Sequence, residues 1–204
     1  MGGAIGRYPA VADAVGIHED LVAEYPGTEA GVDSRAALAF ALDVAEHERL
    51  GVVPGGVHAA ARGLLGLLVA IRPFADANGP TALNVAAVHY RWNGYRFDYD
   101  RGIERFLAGL RRDADGEAGR ADAGAGAADS GGDGTDAGTG DGAAGNGHAV
   151  DGRALRSYLE AHTAAAEPST ADARAVARAD RERHRPVYDA LVDGRGDRSR
   201  SADG

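Results

Sequence analysis

"IRPFADANGPTAL", residues 71–83, stands between an apolar run, "GVHAAARGLLGLLVAI", and a second helix-like run that ends in "NGYRFDY". Pro73 disfavours helical geometry in the residue before it, so the first helix is expected to stop near Ile71. Asn78 is a capping candidate for the next helix, which runs through Thr81, Leu83, Val85, Val88 and Trp92 to the stop signal Asn93-Gly94. The loop between them carries an acid, an amide and a glycine in the four residues Asp76 to Gly79 and opens a helix. Such a layout suits an anion, because a helix start presents unpaired N–H groups and the positive end of its dipole.

Outward from the loop the pattern stays helical. In the run at 56–71, Val57, Ala60, Ala61, Leu64, Leu65, Leu68 and Ile71 recur at three- and four-residue steps, widely enough around the circumference to predict a central buried helix. "DSRAALAFALDVAEHERLG" opens on the capping candidates Asp33 and Ser34 and stops at Gly51. "VADAVGIHEDLVAEY" places Val11, Val15, Leu21, Val22 and Tyr25 mostly on one face and is followed by the turn signal "PGTEAG". Further on, Ile103, Phe106, Leu107 and Leu110 form another amphipathic set. "DGRALRSYLEAHT" and "TADARAVARADRERHRPVYDALVDG" predict two more helices broken at "EPST", and "YRFDY" at 95–99 is the one strand-like piece, a short extended segment or hairpin arm. The expected class is all-α.

Charge divides the 204-residue chain into three parts. Residues 1–112 carry 13 acids against 11 arginines, residues 113–150 carry 8 against 1, and residues 151–204 carry 10 of each, so most of the net −9 sits in the middle part. That middle part is nearly all Gly, Ala, Asp, Ser and Thr, with no apolar surface to offset the entropy of ordering. The expected organisation is a helical domain at 1–112, a disordered acidic linker at 113–150, and a helical extension at 151–204 with a disordered end. A calcium-repeat reading of the Gly/Asp spacing fails for want of a large apolar residue in each turn.

The chain has no cysteine, which excludes disulfide scaffolds, thiolate metal sites and thiol nucleophiles. All 22 basic residues are arginine, which fits an acidic, salt-adapted proteome or a GC-rich genome. The acidic balance disfavours direct nucleic-acid binding. The longest apolar run, "LLGLLVAI", is too short to span a bilayer, and the N-terminus lacks a signal-peptide pattern, so a cytoplasmic protein with no membrane association is expected.

The stretch from Pro73 to Leu83, with apolar helices on both sides, resembles the Fic/Doc (death-on-curing, Fido domain) family, whose signature is His-x-Phe-x-(Asp/Glu)-(Gly/Ala)-Asn-(Gly/Lys)-Arg. The resemblance covers about residues 8–110 and includes "IHEDLVAEY" and "GVDSRAALAFALD"; "DRERHRPVYDALVD" looks like a tail found in some members. It implies an all-α bundle with the motif loop between two central helices, and a toxin–antitoxin toxin component. Such proteins move a phosphoryl or AMP group from a nucleotide to a protein hydroxyl. By this resemblance Phe74 is the packing aromatic and Asp76 the acid that holds Mg²⁺ on ATP. Ala77, Asn78 and Gly79 form the phosphate-binding turn. Arg72 stands where the family has its catalytic histidine and Pro80 where it has its arginine.

Those two departures fall on the chemistry. A guanidinium stays protonated under physiological conditions and cannot accept a proton as a base must. Proline offers neither a guanidinium nor an N–H, while fitting the first turn of a helix. The resemblance therefore implies a catalytically impaired toxin relative, or a pseudoenzyme that keeps affinity for a nucleotide or antitoxin. A small antitoxin and a protein substrate are the implied partners. The family's self-inhibiting helix motif is approached at Thr163–Glu167, but Pro168 follows where Gly or Asn belongs, and the match is read as chance.

Three other histidines are candidates for the missing base. His58 and His89 lie on the flanking helices, about 15–20 Å from the loop along their axes. His18 lies on a different helix, and contact with the loop is left open. "EHE" at 46–48 and "HED" at 18–20 are read as solvated helix faces, since adjacent helical residues point apart. Tyr90, Trp92 and Tyr95 are read as packing aromatics rather than a stacking platform.

Overall fold

The computed structural model describes residues 7–50, 56–124 and 152–199, with side chains described over 7–47, 56–116 and 152–193. Among these residues the elements are α1 (Val11–Glu24), α2 (Arg35–Leu50), α3 (Gly56–Ile71), α4 (Asn78–Trp92), β1 (Tyr95–Phe97), α5 (Gly102–Gly124), α6 (Gly152–Ala161), β2 (Thr163–Ala165), α7 (Ala173–Arg183) and α8 (Arg185–Ser199). The class is all-α with one small two-stranded sheet.

Helices α3 and α4 form a hairpin around the 72–77 loop, and α4 rather than α3 is the central helix. Every residue from Gly79 to Tyr90 is buried, under cover from α1, α3, α7, α8 and β1. Helix α3 instead keeps Ala70 exposed and Arg62 and Leu67 partly exposed. The apolar pattern misleads here because α4 buries Thr81, Asn84 and His89, each with a polar partner that removes the desolvation penalty. Helix α1 buries Val15 and Leu21 of the predicted face, with Tyr25 at its end, and widens it to Ala14, Ile17 and His18, leaving Val11 and Val22 at its margins. His18 is thus 1% exposed, not on a solvated face, whereas His47 of "EHE" is exposed. Tyr90 and Trp92 are core residues and Tyr95 packs against the core.

The strand at 95–97 is not a hairpin arm. It pairs antiparallel with β2, with Tyr95 opposite Ala165, Arg96 opposite Ala164 and Phe97 opposite Thr163. Gly94 turns the chain into this sheet at φ 80°, where a Cβ would lie 3.3 Å from the Ala166 carbonyl oxygen. That left-handed turn and close backbone approach require glycine.

The predicted three-part organisation changes at its first inner boundary and at the C-terminal end. Helix α5 continues to Gly124, so the backbone is helical over the first part of the 113–150 segment; residues 125–150 lie outside the described residues. The predicted disordered end is helical to Ser199, and residues 200–204 are outside the description. Helices α7 and α8 are part of the main core, contributing Val176, Ala177, Val187 and Tyr188.

A buried polar network ties α7 and α8 to the rest. The Arg181 side chain, 1% exposed, donates from Nε to Glu24 Oε2 at 2.8 Å and from Nη1 to Asn84 Oδ1 at 2.6 Å. The Asn84 amide donates to the Ala177 carbonyl at 3.1 Å and to Asp180 Oδ2 at 3.2 Å. The hydroxyls of Tyr99 and Tyr188 donate to the same Asp180 oxygen at 2.6 and 2.8 Å. Burial pushes both phenols well above their usual range, so they remain protonated donors.

This arrangement sets an acid limit. Hydrogen bonding to Arg174 holds the Asp20 carboxyl below its usual 3.8. Burial raises Glu24, but Arg181 and Arg185 outweigh it and hold the group below 4.5. Depressed carboxylates stabilise the fold above their unfolded values and lose that contribution as pH falls through the folded ones. Burial also lowers His58 from 6.5, which weakens the fold as pH drops below that value, because the unfolded chain then takes the proton more readily. The urea midpoint is expected to decline gently below pH 6.5 and steeply below 4.5, and a Glu24→Gln variant to lose part of the steep phase.

Candidate functional site

The loop after α3 is shaped by two non-glycine residues in the left-handed region, Arg72 at φ 52° and Ala77 at φ 56°. Backbone bonds fasten it to the segment before α2. Asp33 and Ser34 donate to the Pro73 carbonyl at 2.9 and 3.2 Å, and Ala75 donates to Gly31 at 3.2 Å. Ser34 also caps α2 through its hydroxyl, which accepts from the Ala37 N–H at 3.1 Å.

Asn78 differs from its predicted role. The N-cap of α4 is Ala77, and Asn78 is the first helical residue. Its amide clamps the loop from inside, accepting from the Phe74 N–H at 3.0 Å and donating to the Phe74 carbonyl at 2.8 Å. Of the predicted phosphate-binding turn, Ala77 already donates its N–H to Asp76 Oδ1 at 2.6 Å. The backbone N–H groups of Asn78 and Gly79 are in the first turn, where no intrahelical acceptor exists, and Pro80 has none to give.

Phe74 is 1% exposed and stacks on the His18 ring at 4.3 Å with an interplanar angle of 21°. His18 Nδ1 lies 3.2 Å from Thr81 Oγ1. The open question about His18 thus resolves to contact with the loop, made from its buried side. His58 and His89 sit at the other end of the hairpin, at 3.0 Å from the Tyr90 hydroxyl and 3.2 Å from the Val57 carbonyl respectively.

On its outer side the loop borders a polar cavity of about 330 Å³. Arg72, Asp76, Ala77, Asn78 and Gly79 all line it, while Phe74 lies beneath. Helix α5 supplies two further lining residues, Arg111 and Asp115. A Cβ on Gly79 would stand 3.7 Å from Arg111 Nη2, so this guanidinium lies over the first turn of α4. Arg72 Nη2 pairs with Asp115 Oδ1 at 2.5 Å, with both side chains near half exposed. Arg111 and Asp115 belong to no motif in the sequence. Their four-residue spacing puts them on one face of α5, but a predicted boundary at 112 separated them.

Among the described residues no imidazole lines the cavity. Among the described residues no group of three or more His, Cys, Asp or Glu side chains could hold a metal alone. Mg²⁺ is commonly held by one or two carboxylates together with waters and substrate phosphates. Of the two carboxylates lining the cavity, Asp115 is engaged by Arg72 and Asp76 accepts from the Ala77 N–H through one oxygen. Among the described residues no helix is long and apolar enough to cross a membrane. No family model, curated protein or solved structure matches the chain.

Proposed function

We propose that this chain is a Doc-like protein whose loop site binds a phosphate-bearing ligand, ATP with Mg²⁺ by resemblance, without the family's imidazole-driven transfer. The observation that carries the reading is that two guanidinium groups, Arg72 held by Asp115 and Arg111 over the start of α4, line one cavity that, among the described residues, no histidine lines. Arg111 supports it further, because it brings from α5 a positive charge of the kind that Pro80 removes from the motif. Helix-start N–H groups and guanidinium forks both suit phosphate oxygens. Mg²⁺, when bound with the nucleotide, would offset phosphate charge beside Asp76. In this reading the protein is a toxin–antitoxin pseudoenzyme with a small antitoxin as its partner.

Titration calorimetry with Mg-ATP tests the site. Arg111→Gln is expected to weaken binding about tenfold, the loss of one charge-assisted contact. Gly79→Ala is expected to weaken it comparably by placing a methyl group between the first turn of α4 and Arg111. It should leave the urea midpoint unchanged or slightly raised, since alanine is the better helix residue. Absence of binding by the natural chain, or variants that bind as it does, would refute the site.

A further inference from the structure

A second cavity, of about 200 Å³, opens between α4, β1, the 169–171 segment and α7, and shares no lining residue with the loop site. Its floor is apolar. Ala87, Phe97 and Val176 retain 5%, 4% and 8% of their surface, in contrast to the fully closed α4 residues beside them such as Val88 and Tyr90 at 0%. Its α7 wall is made of small residues, Ala175 and Ala179, both exposed and one turn apart, which leave the space open.

The rim has the opposite character. Arg91, Arg96 and Arg183 surround the opening in a chain whose net charge is −9. Arg91 donates to the Glu167 carbonyl, a neutral acceptor. Arg96 and Arg183 share one carboxylate, Asp98, at its two oxygens. Asp180 also borders the cavity, but its oxygens are taken up by Tyr99, Tyr188, Asn84 and His184. The rim therefore carries more positive charge than its carboxylates balance. A single carboxylate over a small apolar body complements both parts, because guanidinium groups bind carboxylates in a fork geometry.

From this pairing of apolar floor and arginine rim we infer that the cavity is a binding site for a small carboxylic acid bearing one aromatic ring or a short branched acyl chain. The volume sets the size. An apolar cavity of about 150 Å³ holds a benzene molecule, and this one adds space at its mouth for the acid group. A drug-sized ligand, which needs roughly 300 Å³ or more, is too large.

The chain carries its own reporter. Trp92 is the one tryptophan in the sequence, and its indole N–H donates to the carbonyl of Ala171, a cavity-lining residue, at 2.9 Å. Phenylacetate titrated into the full chain is expected to shift Trp92 fluorescence saturably, with a Kd of about 1 mM for so small a ligand. The neutral analogue 2-phenylethanol is expected to bind about tenfold more weakly, and Arg96→Gln with Arg183→Gln to remove that preference for the acid. Ala179→Leu fills the space from an exposed helix position and is expected to abolish the response while leaving the urea midpoint unchanged. Amide shifts in a heteronuclear spectrum should centre on Ala87, Ala175 and Ala179. The inference is overturned by no saturable response, by an alcohol that binds as tightly as the acid, or by a response that survives in a folded Ala179→Leu variant. It is also overturned if only a peptide C-terminus binds and the free acid does not.

Discussion

Arg181→Ala is expected to lower stability by about 3–5 kcal/mol, the usual range for removing one partner of a buried ion pair. The guanidinium is 1% exposed and serves Glu24 and Asn84 together. Its removal leaves the Glu24 carboxylate with Arg185 as its remaining ion-pair partner and strips the Asn84 oxygen of its donor. An unsatisfied buried acceptor adds its own desolvation cost of about 1–3 kcal/mol, part of the same total. A domain stable by about 5–15 kcal/mol would lose a large share of that margin. The urea midpoint should drop by about 2 M at ordinary m-values. Arg183→Ala, two residues away and 57% exposed, should stay within about 0.5 kcal/mol of the natural chain. Equal midpoints for the natural chain and Arg181→Ala would show that α7 is not held by this network.

Arg72→His combined with Pro80→Arg is expected to raise transfer of label from ATP to protein hydroxyls by about 10²–10⁴-fold, the usual contribution of a positioned general base. The prediction follows from the Doc-like reading. An imidazole titrates near neutrality and accepts the hydroxyl proton that a guanidinium refuses. The backbone favours the change, since position 72 sits at φ 52° and histidine enters the left-handed region more readily than most side chains. The acquired activity should climb with pH through about 6–7 as the imidazole loses its proton, and expression of the variant should arrest growth. A natural chain that transfers label as fast as the variant would refute the impaired-enzyme reading. A variant that binds Mg-ATP but transfers nothing would refute the Doc-like one.

Much of the helical layout was legible because its signals are local. Helix α3 ends at Ile71 where Pro73 constrains the backbone, α4 ends just before Asn93-Gly94, and Ser34 caps α2 as its type predicts. The loop was legible for the same reason, since Asp76, Asn78 and Gly79 act within a few residues of one another. Even there, side-chain direction was not encoded by order alone. Asn78 turned inward to hold Phe74, and Ala77 took the cap.

The chain order by itself thus determined where α2 begins, where α3 and α4 end and which loop carries the candidate anion site, whereas α5 runs past the predicted boundary at 112 and the predicted last helix divides at His184 into α7 and α8. Only the tertiary structure decided which helix is central and what closes that site. Helix α4 could go to the centre because Asn84 is satisfied from α7, 93 to 97 residues further along the chain. Strand β2, "TAA", has no strand pattern of its own and exists through its pairing with β1. Arg111 and Asp115 reached the loop because α5 folds back across it, and His18 met Phe74 because α1 packs against α4. Local backbone preferences act over one or two helical turns, whereas these contacts join positions dozens of residues apart and arise only when buried surfaces and polar partners are matched in three dimensions.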